Sequence, residues 1–347
     1  MQKTYGIALI GCGLMGDSHA ADIYYRDGIR MEYVCDTDEE KARLFCKKYG
    51  ARRQTQNYMD CVLSDQVDIV IISTPPATHL PILKACLDNH KHVLCEKPVA
   101  GTWEETQEFV RLVKENPQCK VLVGHILRHN ATYQRIAEMI HEGAIGKPVV
   151  FRMVQNHHTM NWPKYLADIK QSAPLVNCGI HYIDVMQWFS GSQVVDVQAI
   201  GARTEADVPK DTYNYGLMSV HLADGSLGFY EAGWGNTFSA SNLKEFVGPT
   251  GRICLTYQKD RTQHQEEGDL IEYYRYPQKT YEIINLRSNR RPTFQQLEHL
   301  IRMIETGCEP VPSLDEMLHC MKMCLEADRQ ICQSLQGAAP ISTEISG

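Results

Sequence analysis

A chain of 347 residues with 43% hydrophobic and 22% charged residues is long enough for two ordinary domains, each with a core of its own. A formal net charge of -7 without any basic block argues against nucleic acid or an anionic membrane as the main partner. The opening Met-Gln-Lys-Thr runs directly into an apolar strand pattern, and no stretch approaches about 18 uninterrupted apolar residues; neither a signal peptide nor a membrane span is expected.

In chain order, short apolar runs at 7–10, 31–35, 67–72, 92–95 and 120–123 alternate with helical patterns at 39–49, 80–89 and 102–116. Strands alternating with helices of this length predict βαβ units on a doubly wound parallel sheet of the Rossmann type. The first run ends in Gly11-Cys12-Gly13-Leu14-Met15-Gly16, which opens a helix. Gly11 allows a tight turn, Gly13 lets the backbone approach a pyrophosphate, and Gly16 lets the helix pack closely on the sheet. The unpaired N–H groups at the helix start then face the phosphates. The second run ends at Asp36, 20 residues beyond Gly16, where a carboxylate accepts hydrogen bonds from the adenosine ribose. Asp38, Glu39 and Glu40 make this neighbourhood acidic and no Arg follows Asp36 directly, so the pattern favours NAD over NADP.

Two further loops sit at carboxyl ends of parallel strands, where such sheets bind ligands. Ser73, Thr74 and Pro75, with His79 a few residues on, are candidates for the nicotinamide-ribose side. Glu96-Lys97-Pro98 follows the run ending at Cys95, and the ammonium of Lys97 is suited to a substrate hydroxyl or carbonyl that develops alkoxide charge.

Beyond residue 125 the texture changes. A helix is expected over 131–142, and strand-like runs follow at 149–156, 194–202, 213–222, 226–234, 245–247, 252–257 and 271–276. Asp224-Gly225 marks a hairpin between two of them, and a helix over 174–189 interrupts the series. Thr293-Phe-Gln-Gln296 and Ser313-Leu-Asp-Glu316 fit capping boxes that start two closing helices, as Thr102-Trp-Glu-Glu105 does earlier. Residues from 338 read as a loose tail. The reading is therefore α/β: a nucleotide-binding domain at 1–124 and an α+β domain at 125–347 with a large, mostly antiparallel, open-faced sheet. Thirteen cysteines without a Cys-x-x-Cys pair read as reduced, buried thiols of a cytoplasmic protein. Neither Cys320 with Cys324 nor His157 with His158 has the further ligands a metal needs, and no metal is expected.

Five stretches stand in an order and spacing that resemble the Gfo/Idh/MocA oxidoreductases, which include inositol dehydrogenases and glucose–fructose oxidoreductase. They are GCGLMGDSHA at 11–20, STPPATH at 73–79, EKP at 96–98, EGAIGKP at 142–148 and NCGIHYID at 177–184, and HLADGSLGFYEAGW at 221–234 resembles the family's hairpin. The resemblance implies that Lys97 reaches the reacting hydroxyl beside the nicotinamide, that Glu96 and Lys97 lie at the cofactor, and that the Lys97–Pro98 bond is cis. It implies a general acid/base role for His181, in a motif whose first residue is usually Asp and here is Asn177. On a single helix Asn177 and His181 are four apart and face one way. An amide orients a hydroxyl but cannot stabilise an imidazolium by charge, so another carboxylate or Lys97 must carry part of the proton transfer; Asp184 is a candidate partner.

Arg128, Asn156, His157, Trp162 and Tyr165, with Lys97, Asn177 and His181, are the candidate substrate contacts, because aromatic faces with amide and imidazole groups suit a sugar or cyclic polyol. The expected activity is hydride transfer between NAD and a hydroxyl or keto carbon of such a substrate. Two alternatives remain: an NAD-retaining glycosidase or lyase using transient ring oxidation, and a non-catalytic NAD-binding regulator. Relatives commonly pair through the open sheet, so a homodimer or homotetramer is expected.

Overall fold

The apolar runs of the first third become strands buried on both faces, which a parallel sheet requires. The protein is described here by a computed structural model covering residues 4–159, 161–260 and 267–337. In order come β1 (Tyr5–Ile10), α1 (Leu14–Ile23), β2 (Ile29–Cys35), α2 (Glu39–Tyr49), β3 (Arg53–Thr55), α3 (Tyr58–Val62), β4 (Ile69–Ile72), α4 (His79–Asp88), β5 (His92–Cys95), α5 (Trp103–Glu115) and β6 (Val121–Val123). Their strands form a six-stranded parallel sheet in the order β3-β2-β1-β4-β5-β6. The order reverses between β1 and β4, and the crevice outside the strand ends at such a reversal is where nucleotides bind. The three-residue β3 and five-residue α3 are too short to carry a periodicity and escaped the sequence reading.

The second half continues with α6 (Ala131–His141), β7 (Val150–His158), α7 (Trp162–Ile169), α8 (Pro174–Asn177), α9 (Gly179–Ser190), β8 (Val194–Ala202), β9 (Tyr215–Leu222), β10 (Leu227–Gly235), β11 (Lys244–Gly248), β12 (Gly251–Thr256), β13 (Asp269–Arg275) and β14 (Thr280–Leu286). The chain then closes with α10 (Thr293–Thr306) and α11 (Leu314–Gly337). The eight strands order as β14-β13-β12-β11-β7-β10-β9-β8, antiparallel except where β7 meets β10. The Asp224-Gly225 turn is built as expected: Gly225 takes φ +83° and Asp224 accepts from the Ser226 N–H at 3.0 Å. α8 and α9 cover one face, where Tyr182 stacks on Tyr230 at 4.4 Å and Phe189 meets Phe246 at 5.2 Å. Edge strand β8 is closed by Gln330 of α11, whose amide accepts from Ala199 N and donates to Val197 O. No helix among the described residues is long and apolar enough to cross a membrane.

Three expectations change. The chain divides into Met1–Tyr133 with Asn289–His319, and Gln134–Ser288 with Cys320–Gly347, so the boundary expected at 124/125 misses a return. α10 joins the first unit because Leu297, Leu300 and Met303 share one buried cluster with Ile7, Leu9, Leu94 and Leu122. The helix expected over 174–189 is two helices broken at Cys178. Ser313 and Glu316 form a reciprocal capping box, but Thr293 does not cap α10. It lies inside the helix, and Asp22 of α1 accepts from both the Thr293 hydroxyl and the Phe294 N–H. The expectation for the tail from 338 falls outside the described residues.

Candidate functional site

In the first unit the glycine loop is held by the backbone. Gly11, at φ +101°, donates its N–H to Cys35 O at 2.8 Å. A Cβ on Gly16 would stand 2.0 Å from Gly11 O, so α1 reaches the sheet only through a glycine. A Cβ on Gly13 would meet nothing within 4 Å, which leaves open space beside the N–H groups of the exposed Gly13 and Leu14 and of Met15. This open cradle at a helix N-terminus fits a pyrophosphate. Cys12 contributes backbone alone. Its thiol is buried against Cys35 O, and burial, with the Asp36 charge beside it, pushes it up to about 12.

Asp36 does more than the sequence indicated. Its carboxylate accepts from Cys12 N at 2.8 Å and from Asp38 N at 2.9 Å, so it ties the loop to the end of β2. A carboxylate offers about four lone-pair sites, and a ribose can still be bound. Ser73 turns inward: its hydroxyl donates to Gly11 O at 2.8 Å and props the loop from below. Thr74 and the exposed Pro75 remain at the rim.

His79, expected at the cofactor, is wholly buried, and its Nε2 bonds Thr74 O at 2.8 Å. The ring braces its own loop from inside, and burial lowers its pKa. Glu96 likewise faces inward. Its carboxylate is 5% exposed and meets His19 Nε2 at 2.8 Å. Burial pushes this carboxyl up, but the His19 bond and the charges of His19 and Lys97 prevail and hold it below its usual range. Lys97, the next residue, is half-buried, and its bond to Pro98 is cis. Arg128, expected at the substrate, is buried and pairs with Glu316 at 3.1 Å at the start of α11.

In the second unit the break at Cys178 presents the candidates. Asn177 ends α8, and the His181 N–H bonds Cys178 O at 3.1 Å across the junction. The expected one-helix spacing of Asn177 and His181 therefore does not apply. Both are half-exposed, as is Cys178, while Val176, Gly179, Ile180 and Tyr182 around them are buried. Beneath the junction lies Lys244, 1% exposed, which donates to Val154 O, Asn242 Oδ1 and Leu243 O and sits 4.6 Å from the Tyr182 ring centroid. Burial pushes its ammonium down to about 7, against the opposing pull of Asp260.

Strand alternation separates two expected neighbours. His157 pairs in register with Trp234 on the helix-covered face, where Tyr165 packs on Trp234 at 5.5 Å and on His157 at 6.0 Å. Asn156 points to the opposite face, and its amide donates to Glu231 at 2.6 Å. Asn156 is thereby removed from the set around His157. Trp162 uses its indole N–H on Asp207 at 2.7 Å. The sequence reading missed two buried polar groups, one near the end of β10 and one just past β7. Trp234 Nε1 and Thr159 Oγ1 are both buried without a hydrogen-bond partner. Trp234 had registered only as a strand end, and no local signal marks either group. Among the described residues no group of three His, Cys, Asp or Glu side chains could hold a metal ion.

Comparison with known proteins gives these features a context. Residues 5–125 match the model of an oxidoreductase family with an NAD-binding Rossmann fold, and residues 133–254 match the GFO/IDH/MocA C-terminal domain. The chain is 29% identical to an inositol 2-dehydrogenase of Rubrobacter xylanophilus over 256 residues, 72% of this chain and 71% of that protein. Its fold matches a crystal structure of a putative NADPH-dependent oxidoreductase from Desulfitobacterium hafniense, with TM-score 0.82, 18% identity and coverage of 96% and 97%. It also matches the apo scyllo-inositol dehydrogenase of Lactobacillus casei, with TM-score 0.77, 19% identity and coverage of 96% and 98%.

Proposed function

The chain belongs to the GFO/IDH/MocA oxidoreductase family, and on that premise we propose that it is an NAD-dependent dehydrogenase acting on a hydroxyl or keto carbon of a cyclic polyol or sugar, with inositols the first substrates to test. The observation that carries this reading is Lys97. It stands half-exposed at the end of β5, in the same unit as the open glycine cradle, while the preceding Glu96 is locked inward.

The nicotinamide ring supplies the hydride acceptor or donor. Gly11, Gly13, Leu14, Met15 and Gly16 receive the pyrophosphate, and Asp36 takes the ribose hydroxyls. The carboxylates at 36 and 38–40 disfavour a 2′-phosphate, which supports NAD over NADP. Lys97 donates a hydrogen bond to the reacting oxygen and stabilises the charge that grows there. His181 takes or returns the hydroxyl proton, a task suited to imidazole. Asn177 orients a neighbouring hydroxyl through its amide. His157, Tyr165 and the indole N–H of Trp234 complete a surface with an apolar face and a polar rim, which suits a ring with equatorial hydroxyls.

We propose further that copies pair through the open sheet face. Ile200, Tyr281 and Ile283 lie on it by strand register and are 60% exposed or more, and sedimentation velocity measures the assembly directly.

The central test is absorbance at the NADH band with a panel of inositols and hexoses. NADH formation is expected, with Lys97→Met lowering kcat by about a thousandfold. An unimpaired Lys97→Met enzyme, or no NADH with any polyol, would defeat the reading. Asp36→Asn is expected to weaken NAD and narrow its advantage over NADP.

A further inference from the structure

We propose that the buried His19–Glu96 pair is a positioning element that fixes Lys97 and links it mechanically to the helix presenting the glycine loop; the inference rests on the role given to Lys97 above.

The geometry has four parts. Glu96 and Lys97 follow the end of β5 directly; the Glu96 carboxylate is buried, whereas Lys97 is half-buried and its charge reaches that carboxylate. His19 lies on α1, one turn beyond Gly16, and is 1% exposed. Its Nε2 meets Glu96 Oε1 at 2.8 Å, while its Nδ1 is buried without a partner. An ionised carboxylate only accepts, so Nε2 carries the proton and the ring's polar contact is spent on Glu96. Room for the carboxylate comes from Gly124, just past β6: a Cβ there would stand 3.0 Å from Glu96 Oε2. Finally, Arg291 donates to the hydroxyl of Ser18, the neighbour of His19, and its charge reaches both Glu96 and Asp17.

A buried carboxylate thus sits among His19, Lys97 and Arg291. Stability alone does not require this arrangement, because an apolar pair of similar volume serves a core as well or better than a buried ion pair. What a charged hydrogen bond adds is direction. It fixes the end of β5 relative to α1, the two segments that would contact opposite parts of one dinucleotide. A reacting group displaced by about 1 Å loses on the order of a hundredfold in rate. His19 and Glu96 are accordingly positioning residues, and Arg291 reinforces them from the segment that leads into α10.

The test uses the full chain and two variants. His19→Leu alone leaves the carboxylate unpaired and can fail to fold, so the informative proteins are the double variant His19→Leu/Glu96→Met and the conservative His19→Gln. The double variant is expected to melt within a few degrees of the wild type, to bind NAD within about threefold, and to lose about 30- to 100-fold in kcat with little change in KM. His19→Gln, whose amide can still donate to the carboxylate, is expected to keep kcat within about fivefold. A folded double variant turning over at the wild-type rate overturns the proposal. A second readout needs no substrate: trinitrobenzenesulfonate labelling of Lys97, followed by peptide mass spectrometry with and without NAD. NAD is expected to slow labelling in the wild type by about fivefold or more, and in the double variant by less than about twofold, because protection needs an oriented lysine. Equal protection in both proteins overturns the proposal whatever the polyol assay shows, whereas failure of the polyol assay alone counts against the substrate reading.

Discussion

The glycine loop of the first unit and the junction at Cys178 in the second both bring polar groups to a helix start, but they are held differently. The loop is held at its backbone: Gly11 N–H bonds Cys35 O, the Asp36 carboxylate and the Ser73 hydroxyl bond the main chain of Cys12 and Gly11, and Gly16 lies against Gly11 O. The junction rests on side chains from distant strands. Gly179 packs against Met218 and Tyr230, Tyr182 stacks on Tyr230, and Lys244 lies under Tyr182. A site locked by backbone tolerates almost no change at its glycines, whereas a site held by packing can absorb one.

Paired glycine substitutions put this contrast under the greatest strain. In Gly16→Ala the new methyl would lie 2.0 Å from a backbone oxygen that cannot move aside. NAD affinity is expected to fall by at least about a hundredfold, read by isothermal titration. In Gly179→Ala the nearest atom is the flexible Met218 Cε at 3.0 Å, and a loss of under about 1 kcal/mol in a urea melt is expected. Comparable damage from both would erase the distinction.

Between these extremes lie the groups each unit buries. In the first unit His129 is 9% exposed and lies 5.5 Å from the His299 ring. Burial, with His299 beside it, pushes its pKa from 6.5 to about 4. The unfolded chain therefore binds a proton that the folded one refuses. Stability contributed by neutral His129 is intact above pH 6.5 and drains away as pH falls toward 4, by up to about 3 kcal/mol in total. His129→Gln is expected to flatten the stability profile across that window, checked by urea melts at pH 7 and 4.5. A slope as steep as the wild type's would locate acid sensitivity elsewhere. In the second unit Lys244→Met removes three donated bonds and a contact with Tyr182. A loss of about 2 kcal/mol is expected, limited because a buried charge goes too. If Lys244 supports the junction, kcat should fall along with the melting temperature, and unchanged kcat would confine it to the core.

Legibility followed the range of the forces. β8 and α2 were located to the residue because their patterning and caps are local, Asp38 for instance accepting from Lys41 N at the start of α2. Gly11 and Gly16 were legible because a positive φ and a close approach to Gly11 O demand glycine at those positions. Glu96, His79 and Arg128 were placed at the right strand ends and loops, but their bonds within the fold were not foreseen. Each residue type suited the role, and only the partner across the fold, His19, Thr74 O or Glu316, reveals where the side chain points. Asn156 and His157 were grouped by adjacency although the period of a strand sends them to opposite faces, and only the register with β10 shows which face is covered.

By itself the sequence determined the alternation of strands and helices, the glycine cradle with its acidic residue, and the lysine at the end of β5. Each of these depends on contacts within a few residues or on one backbone conformation. The tertiary structure alone decided that α10 returns to the first unit, that the helix before His181 breaks at Cys178, and that His19 holds Glu96 inward. Those outcomes depend on apolar surface, hydrogen bonds and space contributed by residues tens to hundreds of positions away.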